Sequence, residues 1–308
     1  MINSPLKQHE EISKANKRKY FLENLSAKIF LICALLAVVS LLLIIGFVFY
    51  KGATPFVVKG YSFIDFIFGV NWIPSKGEYG IWPMIVASCY AVLGALIIAV
   101  PIGLFTAIFL AEIAPKWLSW WLSPVIQLLA GIPSVLYGMF GLAVIIPLLQ
   151  NQPGLAQDSS LFAVILVLAI MMLPTIVVVS ETAIRAVPNT YREGSFALGV
   201  SEMGTIFNVI VPAAKSGIMT AIVLGLGRAI GETMAVILVT GKHLMITTNL
   251  TDRFSPLTAT IGLEMAHASG THREMLFAIG TILVVFILLL NFILAKITAK
   301  GERSSCGK

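Results

Sequence analysis

Six long apolar runs, separated by short polar segments, constrain the fold of this chain more than any other feature. Each run is near or above the roughly 20 residues that a helix needs to cross a bilayer. The runs cover residues 29–50, 81–111, 118–149, 161–184, 216–241 and 275–296. With 58% hydrophobic and 12% charged residues, the composition excludes an ordinary soluble protein. We therefore predict an all-α integral membrane protein with six transmembrane helices.

The distribution of basic residues predicts how the spans are oriented. An even number of spans places the tails 1–28 and 297–308 on one side with the loop 185–215, and the loops 51–80 and 242–274 on the other. With Lys116 between the second and third runs and Lys296 at the end of the sixth, the first side carries 14 Lys and Arg residues and the second carries 6. The positive-inside rule then places both termini in the cytoplasm. We interpret the basic tail as a topology signal and expect no nucleic-acid partner.

Two opposite charges, Arg228 and Glu232, lie four residues apart inside the fifth apolar run. Insertion scales assign a cost of about 2.5–3.5 kcal/mol to such a charge at mid-depth, so it usually faces protein or a water path. Residues at i and i+4 share a helix face, so we expect the carboxylate to neutralise the guanidinium in part. An Arg fork also offers paired hydrogen bonds to an anion. We predict that both residues and Thr233 line a substrate path, the alternative being a structural ion pair.

Proline and glycine interrupt the third run, and a second charged pair ends the fourth. Gly131-Ile-Pro-Ser-Val-Leu-Tyr-Gly138 predicts a kink that serves either as pathway lining or as a site of tight helix packing. Glu181 and Arg185 repeat the i, i+4 arrangement at the cytoplasmic boundary. They are either snorkelling boundary residues or parts of an inner gate. Glu112 is interpreted as a boundary residue in the same way.

The loop 185–215 carries an apolar stripe with helical spacing. The stripe consists of Phe196, Val200, Met203, Phe207 and Ile210. Because Gly199 and Gly204 interrupt the pattern, we predict two short helices joined by a turn. Thr190 and Glu193 have the spacing of a capping box at the first helix. A stripe of this kind predicts docking to a partner surface.

The outer loops carry aromatic residues and histidines whose spacing matches no metal site. We expect the segment Phe63 to Phe68, together with Trp72 and Trp82, to lie at the headgroup level, where aromatic rings are favoured. We expect His243, His267 and His272 to be solvated loop residues near Glu264. The cysteines Cys33, Cys89 and Cys306 are far apart and suggest neither a disulfide framework nor a zinc motif.

The loop also resembles a known family motif. Glu193-Gly-Ser-Phe-Ala-Leu-Gly199, nine further residues and Val209-Ile-Val-Pro212 have the spacing of the EAA loop of bacterial ABC importer permeases. Small or aliphatic residues replace its two alanines, its isoleucine and its leucine. The resemblance implies a type I ABC importer permease fold whose second to sixth spans form the core. It also implies a set of ATPase-coupling residues: Glu193, Phe196, Gly199, Met203, Phe207 and Pro212.

Within that family, Gly227-Arg-Ala-Ile-Gly-Glu-Thr-Met-Ala235 and the segment 131–138 are similar to PstC-type phosphate importer permeases. The resemblance implies import of inorganic phosphate across a bacterial inner membrane. It implies a heterodimer with a PstA-type permease, two cytoplasmic ATPase subunits and an extracytoplasmic phosphate-binding protein. ATP and Mg would be used by the ATPase, because this chain has no phosphate-binding Gly-rich loop and is expected to bind no cofactor.

Three alternatives stay open from the residues alone. Arg chemistry does not separate phosphate from sulfate or molybdate, so a permease for another oxyanion fits the same pattern. A secondary transporter or anion channel also buries charges, although it has no use for a cytoplasmic docking loop. An intramembrane enzyme would need a nucleophile and base or a metal set at helical spacing, and the chain shows none.

Overall fold

The computed structural model describes residues 5–150, 161–240 and 255–306. The chain divides into two compact units, Met1–Lys51 and Gly52–Lys308. Helix α1, Pro5–Val57, accounts for the first unit and begins well before the predicted span at 29–50. None of the residues in its most apolar window is buried.

The second unit is built around helix α7, Leu161–Arg185, which contains proline but stays continuous. In its apolar window, 61% of the residues are buried. Helix α3, Trp82–Ile108, packs against it through buried alanines spaced four residues apart, which allow the backbones to approach closely. These alanines are Ala87, Ala91, Ala95 and Ala99. The main core therefore lies between α3 and α7.

Shorter elements complete the second unit. Outside the spans are α2 (Phe63–Phe68), a two-stranded antiparallel pair of β1 (Trp72–Ile73) and β2 (Glu78–Tyr79), and α13 (Leu257–Glu264). Following α3 are a π turn (Phe109–Ile113), α4 (Lys116–Ala130), α5 (Ser134–Phe140), a π turn (Gly141–Ile145) and α6 (Ile146–Gln150). Following α7 are α8 (Asn189–Ala197), α9 (Glu202–Thr205), a π turn (Ile206–Ile210) and α10 (Val211–Ala213). The chain continues with α11 (Lys215–Gly231), α12 (Met234–Val239) and α14 (Gly270–Cys306).

Within the described ranges, four helices are long and apolar enough to cross a membrane, or up to six if each of two bent pairs counts as one span. One pair corresponds to the predicted third span: α4 and the helical segment Ser134–Gln150 meet at 95°. The kink expected at 131–138 is therefore confirmed. The other pair, Glu202–Ala213 and Lys215–Gly231, bends by 68°.

The predicted fifth span, 216–241, is not one helix. Helix α11 ends at Gly231, and the next two residues leave the helical ladder before α12 begins. Residues 1–4, 151–160, 241–254 and 307–308, and with them His243, lie outside the described part of the chain.

Candidate functional site

Arg228 occupies the last turn of α11 and hydrogen-bonds to α7 and to the end of α4. Its Nη1 donates to Thr175 Oγ1 at 3.2 Å and, more weakly, to the Ala130 carbonyl at 3.5 Å. Thr175 follows Pro174 in α7, and Ala130 is the last residue of α4 before the 95° bend. The guanidinium is thus held partly buried where three helices meet, near backbone that is not fully helical.

Glu232 does not share a helix face with Arg228, and the predicted pairing is wrong. The helix has ended at Gly231, and Glu232 has extended backbone at φ −72° and ψ 124°. Its Oε1 accepts from the Ala235 N–H at 3.0 Å, which satisfies a free donor at the start of α12. Between these two described residues the structure has no ion pair. The local need to cap α12 outweighs the i, i+4 rule because that rule requires an unbroken helix.

Thr233 also lies in this break. Its Oγ1 donates to the Gly231 carbonyl at 3.3 Å, and the Glu232 carbonyl accepts from Thr258 Oγ1 at 3.0 Å. Helix α13 therefore anchors the break from outside. Arg228 thus lies in the last helical turn of α11, and Glu232 and Thr233 lie in the unwound segment that follows it.

A cavity of about 300 Å³ adjoins the break. Its walls come mainly from apolar residues of α3, α11 and α14, and Glu232 is part of the lining, whereas Arg228 is not. A small hydrated anion needs convergent donors, which these walls do not offer. The cavity is therefore separate from the surroundings of Arg228.

The loop between α7 and α11 forms two short helices, as predicted. Gly199, at φ +77°, ends α8: its N–H bonds the Phe196 carbonyl at 2.9 Å, and the Val200 N–H bonds the Ser195 carbonyl at 3.2 Å. This is the Schellman pattern, which favours glycine at the left-handed position. Ser201 then caps α9 by accepting from the Gly204 N–H at 3.2 Å.

Most of the apolar stripe on this loop faces outward. Phe196 and Met203 are each 50% exposed and Phe207 is 47% exposed, whereas Ile210 is fully buried. Exposed side chains of this size form a patch of the kind that marks a protein interface. Pro212 lies at the start of the next short helix.

The predicted capping box on this loop is not formed. Pro188 is the N-cap of α8 and makes no side-chain cap bond, so Thr190 lies inside the helix. Glu193 is exposed on α8. Because the helix already begins at Asn189, Thr190 is the second helical residue and does not occupy the N-cap position that a capping box requires.

The second charged pair, Glu181 and Arg185, is formed. Arg185 Nε donates to Glu181 Oε1 at 3.0 Å, and Ser123 Oγ donates to the same carboxylate oxygen at 2.9 Å. Arg185 Nη2 donates to the Leu110 carbonyl and to Ser119 Oγ, both at 2.7 Å. These contacts tie the end of α7 to the end of α3 and to α4.

A further ion pair at this end of the molecule was missed by the sequence analysis. Arg192 of α8 binds both carboxylate oxygens of Glu112, with Nε to Oε2 at 3.1 Å and a shorter contact from Nη2 to Oε1. This hydrogen bonding raises the pKa of Arg192, with burial acting in the opposite direction. The residues are 80 positions apart, so no helical spacing signals the contact.

Comparison with known proteins decides the family. Residues 99–301 match the family described as binding-protein-dependent transport system inner membrane component. The chain belongs to this permease family. A probable ABC transporter permease protein, YqgH, from Bacillus subtilis is 39% identical over 85% of this chain and 87% of its own length. The phosphate transport system permease protein PstC of Haemophilus influenzae is 35% identical over 79% of this chain and 83% of its own.

Solved structures with low sequence identity share the fold. A bacterial ABC transporter that imports the polysaccharide alginate aligns with a TM-score of 0.61 and 15% identity over 94% of this chain and 99% of its own. The MetNI methionine ABC transporter aligns with a TM-score of 0.54 and 19% identity over 72% and 94%. The type I importer permease fold and the PstC-type assignment are therefore confirmed.

Membership of the family has direct functional consequences. The permease is a non-catalytic inner-membrane subunit of an ABC importer, and a partner ATPase hydrolyses ATP. Dependence on a binding protein is part of the family description. The apolar patch on the loop 185–215, named the coupling loop below, lies on a protein that has such partners.

The outer loops of the permease are joined by buried polar contacts. Trp72 is only 4% exposed, and its Nε1 donates to Glu264 Oε2 at 2.9 Å. The same oxygen lies 2.9 Å from His272 Nε2. His272 is therefore not a freely solvated loop residue, because it shares the Glu264 carboxylate with Trp72. His267 is exposed, as expected.

Proposed function

We propose that the permease carries inorganic phosphate into the cytoplasm and that Arg228 contacts the anion. The observation that carries this proposal is the partly buried guanidinium at the junction of α4, α7 and α11. Its PstC-named relatives support phosphate as the substrate. A charge at this depth is kept where it faces a path or a partner, and no carboxylate of the described residues forms an ion pair with Arg228.

The hydrogen bonds of Arg228 leave most of its donors available. Only Nη1 is engaged, and at 3.2 and 3.5 Å both of its contacts are long. Among the described residues, Nη2 and Nε have no hydrogen-bond partner. These two nitrogens form one edge of the guanidinium fork, and such an edge binds two oxygens of an oxyanion in a planar, charge-assisted arrangement.

Glu232 and Thr233 have a supporting role in this proposal. They hold the break between α11 and α12 open next to Arg228, so backbone groups at that level are not all committed to a helix. Because Glu232 caps α12, it leaves the full positive charge of Arg228 for the substrate. Transport requires weak binding, and solvent access to the partly exposed Arg228 allows the bound anion to leave.

The remaining assignments follow the same architecture. We place both termini and the coupling loop in the cytoplasm, with two ATPase subunits docked on the exposed patch formed by Phe196, Met203 and Phe207 and flanked by Glu193, Gly199 and Pro212. A PstA-type permease completes the membrane pore, and a phosphate-binding protein delivers substrate from outside. ATP and Mg bind to the ATPase, and this chain binds no cofactor. Glu181 and Arg185 close the cytoplasmic side as an inner gate.

The proposal is tested by the Arg228→Gln variant in the assembled transporter. Losing two charge-assisted hydrogen bonds, worth about 1.5–3 kcal/mol each, predicts at least about a 100-fold loss of phosphate uptake. Complex assembly should be unaffected because the protein contacts of Arg228 are long and few. The matched control is Arg273→Gln, which removes an exposed arginine at the start of α14 and should leave uptake unchanged.

Uptake of radiolabelled phosphate into proteoliposomes, with and without excess sulfate, provides the measurement. Normal phosphate accumulation by Arg228→Gln would contradict the role of this residue. Competition by sulfate as strong as that by unlabelled phosphate would contradict the substrate.

A further inference from the structure

The end of α3 that lies nearest the coupling loop is not an ordinary helix terminus. The α-helix widens into a π turn, Phe109–Ile113, which ends when the Ala114 N–H bonds the Phe109 carbonyl at 2.7 Å. The Leu110 carbonyl turns to side chains instead and accepts from Arg185 Nη2 at 2.7 Å. Insertions of this kind in helices are frequently found at functional sites. Here the turn aims Glu112 at the coupling loop.

Glu112 is the side chain through which this π turn contacts α8. Arg192 binds it with two donors, one on each carboxylate oxygen, and the pair is largely buried, with exposed side-chain fractions of 20% for Arg192 and 10% for Glu112. Arg192 Nη1 also donates to the Val187 carbonyl at 2.8 Å and to Asn189 Oδ1 at 3.2 Å. The guanidinium is therefore fixed on its own loop by Nη1 and to the end of α3 by Nε and Nη2, and Nη2 also donates weakly to the Ile184 carbonyl of α7 at 3.4 Å.

Other contacts between α8 and the rest of the permease are sparse. Ser195 is the one residue of α8 that is buried. Its hydroxyl pairs with Thr205 Oγ1 at 2.8 Å, which keeps the contact inside the coupling loop. The residues on the opposite side, such as Phe196, face outward toward the proposed ATPase surface. The apolar route from α8 to the end of α3 runs indirectly through the π turn 206–210, whose Ile206 and Ile210 are buried with Ile108 and Leu110, whereas Arg192 links α8 to this end directly.

We propose that Glu112 and Arg192 are positioning residues that transmit displacement of the coupling loop to α3. The inference rests on the coupling role assigned above to this loop. A bidentate ion pair fixes both the distance and the relative orientation of the two side chains, so Glu112 follows a displacement of Arg192. Because α3 packs along α7, which holds Thr175 beside Arg228, a pull on Glu112 reaches the elements around the substrate path.

Arg185 has a different part in this arrangement. It belongs to α7 and binds Glu181 of the same helix, Ser119 and the Leu110 carbonyl. These contacts lock membrane segments to one another and do not reach α8. Among the described ion pairs at this end of the molecule, the Glu112–Arg192 pair alone joins α8 to the end of α3.

The experiment measures anion transported per ATP hydrolysed by the complete transporter, with partner permease, ATPase and binding protein, in proteoliposomes. Glu112→Gln and Arg192→Gln should each lower this ratio by about tenfold or more while ATP hydrolysis continues, since loss of one partner removes the bidentate tie. The double variant should be no worse than either single variant, because both remove the same contact. Glu202→Gln is the matched control: it removes an exposed carboxylate of the same loop and should keep the wild-type ratio.

A structural role without coupling makes a different prediction. Loss of assembled complex lowers hydrolysis and uptake together, which leaves the ratio unchanged and overturns the proposal, as do additive losses in the double variant. If Glu112→Gln does not assemble with the ATPase, the ratio of anion transported to ATP hydrolysed is measured for Arg192→Lys instead. This change keeps the charge but lacks the fork, so a wild-type ratio would again overturn the proposal.

The choice of anion keeps this test separate from the substrate proposal. The ratio is measured with whichever oxyanion the wild-type transporter accumulates. Failure to carry phosphate is then seen in the wild type, whereas failure of the tie is seen in the comparison of variants with the wild type.

Discussion

Replacing Gly199 with valine tests whether backbone conformation alone holds the two coupling-loop helices at their angle. The residue has φ +77°, and a Cβ built on it meets no atom within 4 Å. Steric contact with neighbours therefore adds nothing to the cost of a side chain. The left-handed conformation costs an L-residue about 1–2 kcal/mol, and a β-branched residue is a genuine outlier there.

This cost converts directly into local opening of the turn. About 1–2 kcal/mol corresponds to a factor of about 5 to 30 in an equilibrium constant. We expect the amides of Gly199 and Val200, which bond Phe196 and Ser195, to exchange hydrogen faster by this factor in Gly199→Val. Hydrogen–deuterium exchange of the permease in nanodiscs, followed by mass spectrometry of loop peptides, measures it.

Two matched variants isolate the backbone effect. Gly199→Asn adds a side chain that tolerates the left-handed region, so exchange should stay near the wild-type rate. Gly194→Ala, in α8 of the same loop, also meets nothing within 4 Å but has helical backbone, so it should slow exchange by stabilising the helix by up to about 1 kcal/mol. Equal exchange rates in the valine, asparagine and wild-type proteins would refute the reasoning.

Two further substitutions test packing and polar contacts elsewhere. Gly138→Ala places a Cβ 2.8 Å from the backbone Cα of Ala235, so overpacking of about 1–3 kcal/mol should lower the thermal midpoint of unfolding in detergent. The control Gly227→Ala has open space around its Cβ and should leave the midpoint unchanged. Equal midpoints in the two variants would argue against close packing of α5 on α12. Trp72→Phe removes the donor to Glu264 and should destabilise the outer loops by about 1.5–3 kcal/mol, with the more exposed Trp82→Phe as the control. The thermal midpoints of all these variants are measured by thiol labelling of Cys89 during heating, a readout that does not depend on tryptophan fluorescence. An unchanged midpoint in Trp72→Phe would show that the hydrogen bond to Glu264 contributes little.

The parts of the fold that depend on local sequence patterns were predictable from sequence. Continuous apolar runs identify α7 and the long part of α3 because membrane-spanning helices need uninterrupted apolar length. The turn at Gly199 was predictable because glycine interrupts an amphipathic pattern at a point where the chain needs a left-handed residue. Proline and glycine in 131–138 likewise indicated the bend between α4 and α5.

Contacts that depend on tertiary structure were not predictable. The pairing of Arg228 with Glu232 assumed a continuous helix, and the break after Gly231 redirects the carboxylate to the Ala235 N–H. The Glu112–Arg192 pair joins residues 80 positions apart, and its orientation depends on the π turn in α3, which no hydrophobic period reveals. Arg192 was therefore counted only as a topology charge.

The short interruption between α11 and α12 has a mechanical consequence. Because the ladder of α11 ends at Gly231 and that of α12 starts with its own carboxylate cap, rotation about the dihedrals of residues 232 and 233 breaks no backbone hydrogen bond inside either helix. Residues 232 and 233 therefore form a hinge between two separately hydrogen-bonded helices. A tilt of α12 about this point would leave both helices intact, but it would break the Thr258 contact and expose or repack the buried face of α12, formed by Ala235, Val236 and Val239.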